Sequence, residues 1–502
     1  MHDIFIEEIP RTEIHRLSID VSDDYKYLIL GDSQTVSIAN IERLYERIIF
    51  KPIFKLSQGV FYEYVGNEGD YFIFFTNDEA PLHRIIKVKI SKGNPKKSSE
   101  VVVSENEDNH GVLQSAFKYS VYLFLVYIEN LQNSLYIYSL NRHRIEYKIQ
   151  LKNEKFLSMQ TDRIGFFFET QSFKIPRSIY RIDFHQLLYR PPKAKSYSII
   201  KPYLWKTSKV LNSHEIRVKI QQDSFISLDS VSIPMTIIQK ITVDDSKKPC
   251  LVFAYGGFGC SMLPFFKLFL LLFVELFNGV VAIIHSRGGG ELGDKWLLEA
   301  REAEKSFDDL IAGVQYLKGE TYADIIDSNK IAYYGVSHGG LAGAVVINRQ
   351  RNLFKSVIIQ NANLDLIRYL PRKGCIWAKQ YGDLSQLEYY NIIKRYAPLL
   401  HIQKPTNSED FYPPSLLVAS KNDETVAMEN SLKYLALRRE IGIENILDKP
   451  TLLKIVNSGG HHYETAEKSE YINTVFVELK FLAESMNLKL QFDEKCQNCD
   501  SQ

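Results

Sequence analysis

Ile331-Ala332-Tyr333-Tyr334-Gly335-Val336-Ser337-His338-Gly339-Gly340-Leu341-Ala342-Gly343-Ala344-Val345-Val346 reads as a short apolar strand, a glycine-flanked serine and a helix of small residues. A serine on such a sharp strand-to-helix turn needs glycine neighbours, because a Cβ would clash there, and the turn exposes its Oγ. The helix that follows directs its first N–H groups toward developing negative charge. A bare G-x-S-x-G occurs often by chance and can mark a plain turn serine. The strand before it and the helix after it make Ser337 a candidate nucleophile.

The flanking sequence has the matching texture. From about residue 196, apolar runs at 249–254, 279–285, 330–334, 356–359, 415–419 and 452–456 alternate with helical segments near 262–277, 302–318, 338–350, 428–440 and 464–486. Continuous apolar strands between amphipathic helices indicate a mostly parallel sheet covered on both faces. The lead-in strands at 214–240 read as antiparallel. Residues 1 to 195 differ: aromatic and β-branched runs at 25–31, 71–76, 84–90, 122–127, 134–139 and 164–169 are separated by turn-forming clusters, with no sustained helical period. Strand groups recur at roughly the 40–50-residue period of propeller blades, enough for about four blades. The expectation is an α/β hydrolase catalytic domain over 196–490, preceded by an all-β, partial β-propeller over 1–195 and followed by a polar tail at 491–502, with the boundary near Pro191-Pro192-Lys193.

A serine nucleophile needs a base and an orienter, which in α/β-hydrolases follow in the order acid, then histidine. Asp423, in Asn422-Asp423-Glu424-Thr425-Val426 after the strand SLLVAS, is the candidate acid, although a surface turn acid would look the same. Asp365 and Asp383 are rivals, Asp365 better suited to a structural turn. The histidine comes from Ser458-Gly459-Gly460-His461-His462. Adjacent histidines rarely chelate together and no H-E-x-x-H pattern accompanies them, so no metal is expected. Tyr255-Gly256-Gly257-Phe258 ends another strand; it is either a tight turn or half of an oxyanion site, with the Tyr255 phenol and the His338 N–H as donors. Ser286-Arg287-Gly288-Gly289-Gly290-Glu291 lacks the Gly-Lys-Ser/Thr ending of a phosphate loop, and no cofactor is implied.

Composition narrows the partners. The 502 residues carry 61 Lys+Arg against 60 Asp+Glu, a net charge of +1 that gives no electrostatic reason to expect nucleic acid. The apolar stretch Pro264 to Phe277 is too short to span a bilayer and contains Lys267 and Glu275, so a buried helix rather than a membrane segment is expected. Five cysteines make no disulfide scaffold, Cys250, Cys260 and Cys375 sit among apolar residues, and the Cys496-x-x-Cys499 pair reads as an inert tail. The acidic N-terminal residues lack signal-peptide features, and a cytoplasmic location is expected.

Together YGGF (255–258), SRGGGELGDKW (286–296), GVSHGG (335–340), NDETV (422–426) and SGGHH (458–462) resemble the motifs of the prolyl oligopeptidase family of serine peptidases, in order and at plausible spacing. The resemblance covers 210–485 and continues upstream through VSDDYKYLIL (21–30) and FYEYVGNEGDYFIFFTNDEAPLHRI (61–85). It implies Ser337 as nucleophile, Asp423 and His461 as its partners, and Tyr255 as an oxyanion donor. It further implies a proline pocket in which Trp377, from Trp377-Ala378-Lys379-Gln380-Tyr381-Gly382, stacks on the substrate ring while Phe258 and Tyr381 form other walls. Read by itself, Trp377 could equally be a core tryptophan.

Three departures qualify what the resemblance implies. Thr425 stands where prolyl-specific members carry a carbonyl-binding arginine. His462 follows His461 where glycine is usual, and a one-residue shift would make His462 the base. The propeller-like region holds fewer blades than the family's ring and the family's N-terminal segment is missing, so the ring is open, closes with fewer blades, or the sequence is a shortened form. The implied activity is hydrolysis of short peptides on the carboxyl side of proline. Two alternatives stay open: an esterase or thioesterase of the prolyl-endopeptidase-like branch, motivated by NIIKRYAPLLHI (391–402) and the missing arginine, and a weakly active binding protein using its propeller. The oligomeric state is not legible.

Overall fold

The computed structural model describes residues 17–32, 34–42, 48–57, 59–90, 98–105, 111–151, 153–188, 197–208, 217–300, 304–368, 377–378, 380–406, 410–441 and 450–490. Pro191 to Lys193, Cys375, Lys379, Cys496, Cys499 and the polar tail lie outside them. The chain divides into two compact units. The first is Met1–Ser208 with Leu263–Phe265 and Glu291–Lys295; the second is Lys209–Met262, Phe266–Gly290 and Trp296–Gln502.

The first unit is built from four sheets, antiparallel apart from one short parallel pair. Their seams explain why the strands read as unbroken apolar runs. In Tyr71–Thr76, Phe72 and Phe74 pack with Ile29, Val36 and Phe54 of the preceding sheet, while Ile73 and Phe75 pack with Leu113, Leu123 and Leu125 of the next. Alternate side chains point to opposite faces of a strand, and here both faces are covered. Tyr122–Glu129 repeats the pattern, with Phe124 and Val126 packing on Phe156, Phe166 and Ile182 of the fourth sheet. This is the architecture expected for propeller blades. The expected limit at residue 195 falls short of the unit's edge, however. Ser198–Ile199 pairs in parallel with the strand Arg144–Gln150, and Tyr203–Thr207 completes the fourth sheet beside Ser178–Asp183, carrying the unit to Ser208.

The second unit is an eight-stranded sheet in the order Val218–Ile226, Ser232–Lys240, Val280–Ile284, Lys248–Ala254, Ile326–Val336, Ser356–Gln360, Ser415–Ser420, Thr451–Val456. The first two strands are antiparallel to their neighbours and the remaining pairs are parallel. Helices Leu268–Phe277, Lys305–Lys318, His338–Arg349, Glu429–Glu440 and Lys468–Met486 fall where helical segments are expected. The first starts later than its apolar run, because Lys267 is in extended backbone, φ −143°. Short helices at Asp294–Glu299 and Leu387–Lys394 are additional. No described helix is long and apolar enough to cross a membrane.

The loop after Val280–Ile284 is fixed by an ion cluster centred on buried Arg287 and Asp309 and reaching the exposed Asp229. Arg287 donates to both carboxylate oxygens of Asp309, at 3.0 and 2.7 Å, and to those of Asp229, at 2.5 and 2.9 Å. Its backbone N–H adds a further 3.0 Å bond to Asp309. The held loop braces the next one, since the Gly259 N–H donates to the Gly288 carbonyl at 2.9 Å. Because the Asp309 side chain is fully buried, removing its cation strands an uncompensated charge. Arg287→Ala is therefore expected to cost about 3–5 kcal/mol in chemical denaturation; a loss below about 1 kcal/mol would show that water reaches this cluster.

Candidate active site

The parallel strands of the second unit end along one edge, the usual location of ligand sites in open α/β sheets. Ser337 ends Ile326–Val336 and caps helix His338–Arg349 with φ 55° and ψ −119°. A non-glycine residue at positive φ is uncommon and has to be held there by its surroundings. Its N–H donates to the Gln360 carbonyl at 2.9 Å, and its own carbonyl accepts the first helical bond from the Leu341 N–H at 3.0 Å. Gly339 is required by the packing, since a Cβ there would lie 2.3 Å from the Ala254 carbonyl oxygen. That contact also brings Tyr255, the next residue, alongside the serine. The Tyr255 hydroxyl and the Ser337 side chain share a hydrogen bond, and burial keeps the phenol's pKa above its ordinary value.

Asp423 and His461 meet on the loops after the last two strands. His461 Nδ1 lies 2.7 Å from Asp423 Oδ2, and that carboxylate is fully buried. Its other oxygen accepts the Thr425 and Val426 N–H groups, both at 2.8 Å. One oxygen is thus fixed by the backbone and the other is turned to the imidazole. His462 makes no such pair; burial, then the neighbouring His461, lowers its pKa. The rival acids are engaged elsewhere. Asp365 accepts from Lys433 at 2.8 Å and Arg368 at 3.3 Å, and Asp383 caps its own turn through the Ser385 N–H at 2.9 Å. Among the described residues no hydrogen bond joins the Ser337 hydroxyl to His461; such bonds are often loose before substrate binds.

The three expected pocket aromatics are brought together. Phe258 meets Trp377 and Tyr381 edge-on at ring separations of 6.4 and 5.7 Å, and Trp377 and Tyr381 are 6.0 Å apart. Two polar contacts escape a reading of the sequence. The Phe258 N–H donates to Gln380 Oε1 at 2.6 Å, locking the YGGF turn to the tryptophan segment. The His338 side chain, expected to matter only through its backbone, fills the centre of the aromatic group, with Nδ1 2.7 Å from the Tyr381 hydroxyl. It explains Gly257, whose Cβ would come within 2.6 Å of that imidazole. Burial lowers the His338 pKa to about 4, so the ring is neutral at physiological pH. No group of described residues is arranged to hold a metal ion.

The histidine loop is secured from behind. Glu470 accepts the Asn457 and Ser458 N–H groups at 2.6 and 2.7 Å and the Ser458 hydroxyl at 2.5 Å, contacts that lower its pKa to about 2. Tyr463 donates at 2.9 Å to Glu478, a fully buried acid. Lys267 pairs with Glu464 at 2.5 Å and lies over the Tyr463 and Tyr334 rings.

Comparison with known proteins finds the same architecture. A model described as "Prolyl oligopeptidase family" matches residues 268–489, and one described as "Prolyl oligopeptidase, N-terminal beta-propeller domain" matches 1–193. "Prolyl oligopeptidase A" of Galerina marginata is 30% identical over 458 residues, covering 88% of this chain and 59% of that protein. "Prolyl endopeptidase" of Dictyostelium discoideum is 26% identical over 519 residues, covering 98% and 65%. The solved structure of prolyl oligopeptidase B from Galerina marginata, bound to a 35mer hydrolysis and macrocyclization substrate, superposes with a TM-score of 0.81 at 22% identity, over 95% of this chain and 65% of that one. The chain thus spans about three fifths of the length of these relatives.

Glu478 supplies a pH test of the loop's support. Burial raises its pKa from 4.5 to about 8, so the folded state takes up a proton that the unfolded chain releases. Its contribution to stability is complete below pH 4.5 and is lost as pH rises toward 8. Glu478→Gln, which cannot ionise, should therefore gain on the wild type in urea midpoint between pH 5 and pH 8. A constant difference across that range would contradict the buried-acid assignment.

Proposed function

We propose that this chain, which belongs to the prolyl oligopeptidase family, is a serine oligopeptidase that hydrolyses short peptides on the carboxyl side of proline. The observation that carries the reading is the 2.7 Å contact between His461 Nδ1 and the buried Asp423 carboxylate, in the same sheet edge as a serine held at positive φ. His461 takes the Ser337 hydroxyl proton as Oγ attacks the carbonyl carbon after proline, and Asp423 fixes the imidazole tautomer and supports its positive charge. The tetrahedral oxyanion receives the Tyr255 hydroxyl and the His338 N–H. Collapse breaks the C–N bond, His461 returns the proton to the leaving amine, and water activated by the same histidine releases the acyl group from Ser337.

Specificity in this reading comes from Phe258, Trp377 and Tyr381, whose apolar rings suit the flat pyrrolidine, while neutral His338 adds no charge to their surroundings. Thr425, whose N–H is committed to Asp423, replaces the guanidinium expected to hold a substrate carbonyl, so binding rests more on the ring pocket. We place the protein in the cytoplasm, with the sparse cysteines as support.

Turnover of a Gly-Pro reporter amide tests the reading. Ser337→Ala should lower kcat by about 10⁶-fold, and equal rates in the two proteins would reject it. Trp377→Ala should lower kcat/KM for the prolyl amide by about tenfold while sparing a small unhindered ester; equal losses on both substrates would place Trp377 in the core rather than the pocket.

A further inference from the structure

We infer that Asn361 is a positioning residue that sets the catalytic histidine against its acid, an assignment resting on the triad proposed above. Asn361 immediately follows strand Ser356–Gln360 and adopts a left-handed backbone, φ 44°. Asparagine tolerates that region better than most residues, and the turn sends its amide across the strand ends. Its own N–H donates to the Val418 carbonyl at 2.8 Å, which seats the residue on the neighbouring strand Ser415–Ser420.

The amide then spans two loops. Oδ1 accepts the Ser420 N–H at 2.8 Å, and Nδ2 donates to Ser420 Oγ at 3.2 Å and to the His461 carbonyl at 2.6 Å. Ser420 in turn accepts the Asp423 N–H at 3.3 Å. One buried side chain therefore ties the backbone that leads to Asp423 to the backbone of His461 itself. The preceding residue completes the set, because the Gln360 carbonyl holds the Ser337 N–H. The dipeptide Gln360-Asn361 thus bonds the main chain of Ser337 and of His461 directly, and reaches Asp423 through Ser420. Asn422 Nδ2 also crosses between the acid and histidine loops, donating to the Asn457 carbonyl at 3.1 Å, but that bond stops short of His461, whereas Asn361 holds the His461 carbonyl itself. With Nδ1 held by Asp423 and the carbonyl held by Asn361, both ends of His461 are fixed, which defines where its second ring nitrogen points. A displacement of the imidazole by a fraction of an ångström is enough to depress the chemical step without changing how substrate binds.

Two variants separate positioning from folding. Asn361→Gly keeps the left-handed turn at no steric cost and removes the amide. Asn361→Asp keeps an acceptor for the Ser420 N–H but sets an oxygen against the His461 carbonyl. Each is measured for kcat and KM on the Gly-Pro reporter amide, for thermal midpoint, and for the low-field proton resonance of the Asp423–His461 hydrogen bond, with Ser337→Ala as a control that retains that resonance. The expected result is a kcat lower by roughly tenfold to a hundredfold, KM within about twofold, a preserved cooperative melt, and a resonance broadened or shifted in both variants. Folded variants with wild-type kcat and an unchanged resonance would overturn the assignment. So would outright unfolding of both, since the side chain would then be holding the fold rather than the histidine. The resonance also keeps the two claims apart: its loss in the variants of a wild type that turns over no prolyl amide would preserve the positioning role and reject the peptidase reading.

Discussion

Ser337 occupies a backbone conformation that a non-glycine residue adopts only when its neighbours leave no alternative, and much of the second unit's local architecture can be traced to the groups that impose it. From one side the Gln360 carbonyl takes the serine N–H; from the other the Ala254 carbonyl presses so close to residue 339 that only glycine fits. Both constraints come from strands flanking Ile326–Val336 in the parallel sheet. The same strands then deliver Tyr255 and Asn361 as their next residues. Holding the serine and assembling its surroundings are thus one structural problem, solved by the alignment of strand ends. The cluster around buried Arg287 extends that solution, because it fixes the loop whose Gly288 carbonyl supports the YGGF turn.

The buried polar groups of the site are satisfied in different ways. Asp423 is buried, and two backbone N–H groups and an imidazole satisfy its oxygens. Tyr255 is partly buried and His338 fully so; loss of water raises the phenol's pKa and lowers the imidazole's, which favours the neutral form of both. A neutral phenol can donate a hydrogen bond to an oxyanion, whereas a phenolate could not.

The chain reveals the positions whose chemistry depends on residue type. The strand, the glycine-flanked turn and the helix around Ser337 could be read directly, because such a turn leaves a local signature. The seams of the first unit were legible as well, since strands covered on both faces appear as unbroken apolar runs such as Tyr71–Thr76. Between the adjacent histidines the sequence favours His461, and the fold adds the carboxylate that faces it. Asn361 and Gln380 left no signal, since an amide's role depends on which distant backbone groups it meets. The reach of the first unit to Ser208 leaves no signal for a similar reason. Ser198–Ile199 and Tyr203–Thr207 are short and largely exposed, and only their hydrogen-bonded partners assign them to the first unit.

The central claim is that Ser337 is an activated nucleophile, and reaction with a fluorophosphonate, followed by peptide mapping of the adduct, tests it most directly because phosphonylation requires an activated hydroxyl rather than any particular substrate. A single covalent adduct on Ser337, formed by the wild type and absent after substitution of His461, is the predicted result. Recovery of the unmodified peptide carrying Ser337, or an adduct that persists without His461, would contradict it.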